Sequence, residues 1–272
     1  MTLDTMDTMY ALPPLPAARS HTLALLLQPQ VSLAEVAAIA EGDPALTATL
    51  LHAANSAYSS PVDEVRRAAD ALVRLGVEDS RGIILATLLR DTTTAALERS
   101  ELDIDTLWRH TLAVALLAEA LCAVDSSLAS VQPVAFTTGI LHDIGRLVLA
   151  ARHPRRYARV VRLARRGMPI MEAEASQFGT DHASFGGGVA LAWGLPEVIA
   201  RAIGAHGTGG DPLSDVLVSA IALTRALGIG DGVLPAPLPS MELVAGSAAL
   251  RILGGPGALL RRIEWFRAAL GA

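Results

Sequence analysis

Four histidines and one aspartate stand on or beside apolar helical segments, where an unpaired polar group is costly. They are His110, His142, Asp143, His182 and His206. A neutral imidazole is the commonest metal ligand among side chains, and a neighbouring carboxylate can anchor or bridge a hard cation. Helices could bring all five groups to one point. The alternative is a set of structural histidines, because spacing along a sequence does not establish convergence.

The segments that must position these side chains have the pattern of helices throughout. Ser32 and Glu35 have the spacing of a capping box, and Asp43 followed by Pro44 is typical of a second helix start. Apolar residues recur at helical spacing, and the sequence contains no alternation of apolar and polar residues long enough for a sheet. The sequence therefore predicts an all-α fold.

Residues 68–89 have the pattern of two helices separated by a polar turn at residues 76–79. A DNA-binding helix-turn-helix has the same outline. The second helix is mostly Ile, Leu and Ala rather than polar residues that read bases, so a helical hairpin packed in the core is favoured. The net charge of −5 also argues against general phosphate-backbone binding, and no nucleic-acid partner is predicted.

Length and composition favour a globular protein without a membrane span. A chain of 272 residues with 51% hydrophobic content can bury a sizeable core. Charged residues or histidines interrupt every apolar run before the roughly 20 residues that a span requires. The single Cys122 excludes an intramolecular disulfide, and the first residues lack the pattern of a signal peptide. We therefore expect a cytoplasmic protein.

Four segments of the chain carry a resemblance to a known family: LPPLP at 12–16, VSLAEVAAIAEGDPALTATLLHAANSAYSSP at 31–61, GILHDIGRLVLA at 139–150 and DHASFGGGVALAWGLPEVIARAIGAH at 181–206. Over roughly residues 11–230 the sequence resembles the HDOD family, the HD-related output domain of bacterial signalling proteins. The order of one His and a later His-Asp pair is similar to that of the HD superfamily of metal-dependent phosphohydrolases. The resemblance implies an N-terminal helical subdomain, residues 11–100, packed on an HD-like helical bundle, residues 101–230.

Two further segments flank this predicted domain. Residues 1–10 are interpreted as an N-terminal tail, and residues 231–272 as a C-terminal helical extension behind a Gly/Pro-rich break. The last helices could close the bundle, form a homodimer or hold a partner. Burial of the apolar residues near the end of the chain within a monomer would favour the first role; these are Leu259, Ile263, Trp265 and Phe266.

The resemblance also assigns each candidate ligand. His110 matches the first HD histidine, His142 and Asp143 the doublet, His182 the next histidine, and His206 the first histidine of a pair.

The chain departs from the pattern at three positions. Gly207 stands where related sequences often carry a second histidine, and Ile221 stands where catalytic HD enzymes have a closing Asp. Asp215 precedes Ile221 on the same predicted helix but points to a different face. Arg146 replaces a lysine common in cyclic-dinucleotide phosphodiesterases, and a guanidinium cannot act as a general acid at neutral pH.

The resemblance implies a regulatory role, because the family is described as lacking the complete catalytic metal set and as working through protein contacts. We expect a bacterial signal-transduction module that is not an enzyme and that contacts another signalling protein. Its degenerate pocket would hold a divalent transition metal (iron, zinc, manganese or nickel), a small molecule or a nucleotide. The alternative is a metal-dependent phosphohydrolase acting on a nucleotide or cyclic dinucleotide, which the residues at 207 and 221 disfavour because such hydrolysis usually needs a second positive group.

Two other motifs receive structural interpretations. Asn55 and Ser56 end a helix before a turn and are predicted to fix the N-terminal subdomain rather than to bind a ligand. FGGGVA at 185–190 lacks the preceding strand and following Lys-Ser/Thr of a phosphate-binding loop, so close helix packing explains its glycines better.

Overall fold

The computed structural model describes residues 31–56, 64–97 and 99–270, together with residues 22, 25, 26 and 28. Regular structure within these ranges is entirely helical, which confirms the predicted all-α class. LPPLP at 12–16 and the predicted tail at 1–10 lie outside the described residues.

The helices follow one another with short connections. They are α1 (Leu33–Glu41), α2 (Pro44–Ala54), α3 (Ala68–Leu75), α4 (Val77–Leu97), α5 (Ile104–Val124), α6 (Gln132–Leu141), α7 (Ile144–Arg152), α8 (Pro154–Arg165), α9 (Ile170–Phe178), α10 (His182–Ala192), α11 (Glu197–Ala205), α12 (Pro212–Ala226), α13 (Met241–Gly246), α14 (Ala248–Ile252) and α15 (Pro256–Ala269). A single 3₁₀ turn, Ser126–Leu128, follows α5.

The first helices begin where the sequence predicts. The Ser32 hydroxyl accepts a hydrogen bond from the Glu35 backbone N–H at 3.3 Å, and the Ser32 N–H donates to the Glu35 carboxylate at 2.8 Å. The Asp43 carboxylate accepts from the Ala45 N–H at 2.8 Å. Helices α1, α2 and α3 pack on one another, and α4 connects them to α6 and α7.

Helices α3 and α4 form a hairpin that is packed into the molecule. Residues 80–89 of α4 are all buried, so this helix presents no free face for reading bases there. The packed hairpin predicted from the apolar composition of the second helix is the observed arrangement.

Helix α5 lies at the centre of the bundle. Thirteen of its 21 residues are buried, and they surround the helix rather than following one stripe. It packs against α6, α12, α14 and α15. Its inward side chains include His110, which is therefore held in the middle of the molecule.

The LHDIG segment forms the junction between α6 and α7. Helix α6 ends at Leu141 and α7 begins at Ile144, so His142 and Asp143 occupy the turn between them. Helix α7 then passes very close to α10, because a Cβ atom on Gly145 would lie 2.0 Å from the His182 carbonyl oxygen. Gly187 of α10 makes a similar approach to α11, where an added Cβ would lie 2.9 Å from the Ala200 carbonyl oxygen. These contacts agree with the packing role predicted for the glycines at 185–190.

The C-terminal helix α15 closes the bundle against the N-terminal helices. Leu259, Ile263, Trp265 and Phe266 are buried within the monomer, which favours the first of the three predicted roles. The Trp265 indole N–H donates to the Ser56 hydroxyl at 2.7 Å. This contact joins the end of the chain to the turn after α2.

Two stretches are long and apolar enough to cross a membrane by length and composition alone. They are Ile104–Val124 and Gln132–Arg152, and 72% and 94% of their most apolar segments are buried inside the protein. Charged residues interrupt both stretches, as expected from the sequence: Arg109 and Glu119 lie in the first, and Asp143 and Arg146 in the second. Their burial is typical of core helices, and the second stretch is interrupted by the turn at His142 and Asp143.

Candidate metal centre

The five predicted site residues converge in the interior. Their lone-pair atoms form two overlapping groups, each within 4.8 Å: one contains His110, His142 and Asp143, and the other contains Asp143, His182 and His206. All five residues are at most 5% exposed. Four different segments, α5, the α6–α7 turn, the start of α10 and the end of α11, contribute them.

Three of the histidines are held in the orientation that metal-binding histidines adopt. The Nδ1 atom of His142 lies 2.8 Å from the Gly139 carbonyl oxygen, and that of His206 lies 2.7 Å from the Ile203 carbonyl oxygen. A carbonyl can only accept, so each Nδ1 carries the proton and each Nε2 of a neutral ring carries a lone pair. These Nε2 atoms face Asp143, at 3.5 Å from His142 and 3.9 Å from His206.

Glu174 gives His182 the same orientation. This buried carboxylate accepts from His182 Nδ1 at 2.5 Å and from the His182 backbone N–H at 2.9 Å, while its other oxygen accepts from the Tyr157 hydroxyl at 2.5 Å. Sequence reasoning missed Glu174. It shares the apolar stripe of α9 with Ile170, Ala173 and Phe178, and a carboxylate on such a stripe is the signal that could have found it.

The resulting geometry fits a cation. His182 Nε2 and His206 Nε2 lie 3.2 Å apart, and His182 Nε2 is 3.4 Å from Asp143 Oδ1. Two lone pairs that face each other at this distance repel unless a cation or a shared proton lies between them. Ligand atoms held about 2.1 Å from one tetrahedral ion are roughly 3.4 Å apart, which matches these distances. His110 Nδ1 and His142 Nε2 are buried without a hydrogen-bond partner among the described residues.

Electrostatics keep three of the histidines neutral and the aspartate ionised. Burial lowers the pKa of His110 to about 3, the pKa of His206 falls to about 3 for the same reason, and burial also lowers the pKa of His142. Burial alone would raise the pKa of Asp143, but the Arg146 guanidinium holds it well below its usual range. Neutral imidazole and ionised carboxylate are the forms that bind metals.

Arg146 is a buried cation inside the site. Its guanidinium lies 3.2 Å from Asp143 Oδ2, donates to the Asp231 carbonyl oxygen at 3.0 Å and approaches His182 Nε2 at 3.4 Å. Asp231 is the second residue that sequence reasoning missed, because an Asp between glycines in a Gly/Pro-rich segment has the pattern of an ordinary turn. Its carboxylate accepts from the backbone N–H groups of Val233 and Leu234, both at 3.1 Å.

The comparison with family models identifies the chain. Residues 12–208 match the model of the HDOD domain. The chain belongs to the HDOD family. No curated protein is similar to it at a significant level.

Solved structures with the same fold include other members of this group. An HDOD domain protein from Geobacter sulfurreducens is 24% identical, with a TM-score of 0.69 over 99% of this chain and 98% of that one. A protein from Shewanella amazonensis SB2B, provisionally named a phosphohydrolase, is 22% identical, with a TM-score of 0.67 over 99% and 97%. One from Marinobacter aquaeolei VT8, provisionally named a signal transduction protein, is 19% identical, with a TM-score of 0.70 over 98% of this chain and 60% of that one. At these identities the likeness establishes the fold.

The HDOD site opens into a cleft of about 910 Å³. The histidines, Asp143 and Arg146 form its floor, and α9, α12 and residues 228–240 form its walls. Gly207 and Ile221, the two positions that depart from the ligand pattern, both line this cleft. Asp215 is exposed instead and accepts a hydrogen bond from the Gly210 N–H at 2.9 Å. The site therefore lacks metal-binding side chains at these two positions, and Asp215 does not replace them.

Proposed function

We propose that this HDOD domain is a non-catalytic bacterial signal-transduction module in which one transition-metal ion, and a ligand in the cleft, bias contacts with another signalling protein. The observation that carries the proposal is the position of Arg146. Its guanidinium bonds both to Asp143, a candidate metal ligand, and to the Asp231 carbonyl of the wall segment 228–240.

The ion would be held by His182, His206 and Asp143 Oδ1. Three ligands of this kind suit iron, zinc, manganese or nickel. Glu174 orients His182 and increases its basicity, as a carboxylate behind a metal-bound histidine does.

The Arg146 guanidinium lies beside both groups, 3.2 Å from Asp143 Oδ2 of the second group (His110, His142 and Asp143 Oδ2) and 3.4 Å from His182 Nε2 of the first. A guanidinium stays charged at any physiological pH, and a second cation beside it would be repelled. The geometry thus favours a mononuclear centre.

Arg146 provides a route from the centre to the surface. Residues 228–240 form a loop whose ends are joined, because the Ser240 N–H donates to the Ala226 carbonyl at 2.8 Å. A change in charge at Asp143 alters its attraction for Arg146 and, through Asp231, the position of this loop. The outer half of the loop is exposed, where a protein partner could contact it.

The residues argue against efficient hydrolysis. A bound ion would supply Lewis acidity and an activated water. Phosphoester cleavage also needs a group that protonates the leaving oxygen, and neither Ile221 nor Gly207 nor the permanently charged Arg146 can do so.

Elemental analysis and hydrogen exchange test this proposal together. Protein purified without chelator should hold about one transition-metal ion per chain. Asp143→Asn should lose it. Metal-loaded protein should protect the amides of residues 228–240 more than chelated protein, and Arg146→Gln should abolish that difference. Protein without metal, or turnover of bis(p-nitrophenyl) phosphate by the metal-loaded form, would contradict the proposal.

The phosphohydrolase alternative keeps one observation in its favour, which is that both three-ligand groups share Asp143. A bridging carboxylate is typical of two-metal sites. Two ions per chain together with phosphodiesterase activity would establish this alternative. Ile221→Asp restores the missing carboxylate and should then increase the activity.

A further inference from the structure

The cleft above the candidate metal centre has an uneven distribution of polarity. Its floor carries charged groups, whereas its rim is aliphatic. Four of the ten most exposed large apolar side chains among the described residues lie on this rim: Val218, Leu234, Leu238 and Leu243. Leu238 is 93% exposed, which is costly for a leucine that has no occupant to contact.

The chemistry of the walls disfavours a nucleobase. No Phe, Tyr or Trp lines the cleft within the described part of the chain, so no aromatic ring is available for stacking. Polar side chains at the rim are scarce, apart from Glu172, Arg225 and Ser240. A base would therefore find neither a stacking partner nor a set of edge contacts.

The floor favours an anion once a metal ion is present. Arg146 and Arg225 carry two positive charges against the three carboxylates of Asp143, Asp231 and Glu174, so with neutral imidazoles a divalent ion leaves a net charge of about +1. Arg225 lies 3.7 Å from Asp231 and remains half exposed toward the cleft. An anionic group at this depth would meet positive charge, while the rest of the same ligand would meet leucine and valine.

We infer that the cleft binds an aliphatic amphiphile, with a carboxylate or phosphate head at the metal centre and Arg225, and an acyl chain against the rim leucines. This inference rests on the proposed function, because the head requires the metal-loaded centre. The volume of about 910 Å³ lies within the range of pockets that enclose a ligand of this size. The acyl chain of the ligand would cover the outer half of the 228–240 loop, which is the surface that the proposed function assigns to signalling.

Fluorescence titration with dansyl-undecanoate tests the inference on the full chain. Metal-loaded protein should bind the probe, and chelated protein should bind it at least about ten-fold more weakly. Displacement by dodecanoate and by dodecyl phosphate distinguishes a carboxylate head from a phosphate head. Leu238→Asp and Leu243→Asp should each weaken probe binding by at least about ten-fold, since each removes an apolar contact. Both positions are exposed, so folding should be unaffected.

Leu191→Asp is the matched control. Leu191 is 57% exposed on α10 and does not line the cleft, so probe binding should remain at the wild-type level. Wild-type affinity in both rim variants would overturn the inference, and so would stronger displacement by GMP than by dodecanoate. Metal content is measured separately, so that a failure of the amphiphile inference can be distinguished from a failure of the proposed function. Stoichiometric metal without probe binding removes the amphiphile alone and assigns the rim to a protein partner. Probe affinity that chelation leaves unchanged contradicts a head group at the metal centre, whereas protein that holds no metal contradicts the proposed function.

Discussion

Glu174 shows how a single side chain can define the site without lining the cleft. Its two oxygens bond to Tyr157 and to both the ring and the backbone of His182. Burial opposes its charge, yet His182 and these hydrogen bonds lower the pKa of Glu174 below its usual value. The carboxylate therefore stays ionised, and it fixes the proton of His182 on Nδ1.

Replacing this carboxylate should weaken metal binding more than it disturbs the fold. We expect Glu174→Gln to reduce metal affinity by about 10- to 100-fold, the usual effect of losing a carboxylate behind a ligating histidine. Competition with a fluorescent chelator measures the change. Glu197→Gln, on the exposed surface of α11, is the control and should bind metal as the wild type does.

The sequence named the five side chains as candidates, because a histidine or aspartate among apolar helical residues is costly without a partner and because the family resemblance assigns them, but it left their convergence open. It did not predict Glu174 or Asp231. Their roles depend on tertiary approach, since Glu174 reaches His182 across a turn, and Asp231 reaches Arg146 from 85 residues away. A carboxylate on a helix or in a glycine-rich turn is usually solvated or caps local backbone. Only the packing of α7, α9 and the 228–240 loop brings these two carboxylates to the site.

Among the elements, the turn after α2 is fixed by one amide side chain. The Asn55 side chain accepts from the Val65 N–H and donates to the Val65 carbonyl, both at 2.8 Å. This paired contact is a structural one, of the kind that the sequence predicts for Asn55. It holds the residues before α3 against the end of α2.

Asn55→Ala should lower the free energy of unfolding by about 1 to 3 kcal/mol, because it leaves two half-buried backbone groups without partners. Metal content should not change, since Asn55 belongs to neither group of candidate ligands. Urea denaturation measures the loss. His52→Ala, on the exposed face of the same helix, should have almost no effect, and equal stability of the two variants would remove Asn55 from this structural role.

Gly145 sets the spacing between α7 and α10. A Cβ atom there would lie 2.0 Å from the His182 carbonyl, and helix backbone cannot yield as a side chain can. Gly145→Ala should therefore separate the helices, destabilise the protein by roughly 1 to 3 kcal/mol or more, and displace His182.

The control for this substitution is a glycine on α10 itself. A Cβ on Gly188 meets nothing within 4 Å, so Gly188→Ala should be neutral or stabilising by up to about 1 kcal/mol. Thermal denaturation and metal content distinguish the two variants. Equal thermal stability and equal metal content of the two variants would show that the close α7–α10 contact does not require a glycine at position 145.

The elements themselves were largely predictable, for local reasons. Ser32, Asp43 and Asp211 cap helices through their own sequence neighbours, and such contacts do not depend on the rest of the chain. The packing partners of α5 were not predictable, because a helix buried on every side has no stripe that indicates a direction. The domain boundaries at residues 100 and 230 stay predictions.

For the whole molecule, the buried neutral histidines make stability depend on pH. The pKa values of His110 and His206 are lowered by burial to about 3, whereas a solvated histidine titrates near 6.5. Below a pH of about 6.5 these histidines bind protons in the unfolded chain but not in the folded chain. The free energy of unfolding therefore declines as the pH falls. Asp143 and Glu174, whose pKa values are also lowered, add a loss of the same sign at more acidic pH.

Chelated protein should therefore lose roughly 2 to 4 kcal/mol of unfolding free energy between pH 7 and pH 5, at most about 1.4 kcal/mol per pH unit for each histidine. Urea titrations at the two pH values give the difference. His206→Gln should reduce the loss by roughly a third to a half, because burial also lowers the pKa values of His110 and His142. Equal wild-type stability at the two pH values would contradict the burial argument.

The wide separation of the ligands along the chain sets the order of assembly. His182 and His206 are 24 residues apart, and Asp143 is contributed by the earlier turn between α6 and α7. Bringing such distant groups together closes long loops and so costs chain entropy, which the packing of the whole helical bundle must offset. A bound ion would therefore not nucleate folding as zinc does in a zinc finger. It would enter a folded molecule, and chelation should release it without unfolding the chain. Newly synthesised copies would pass through a folded, metal-free stage whose lifetime follows the metal supply of the cell.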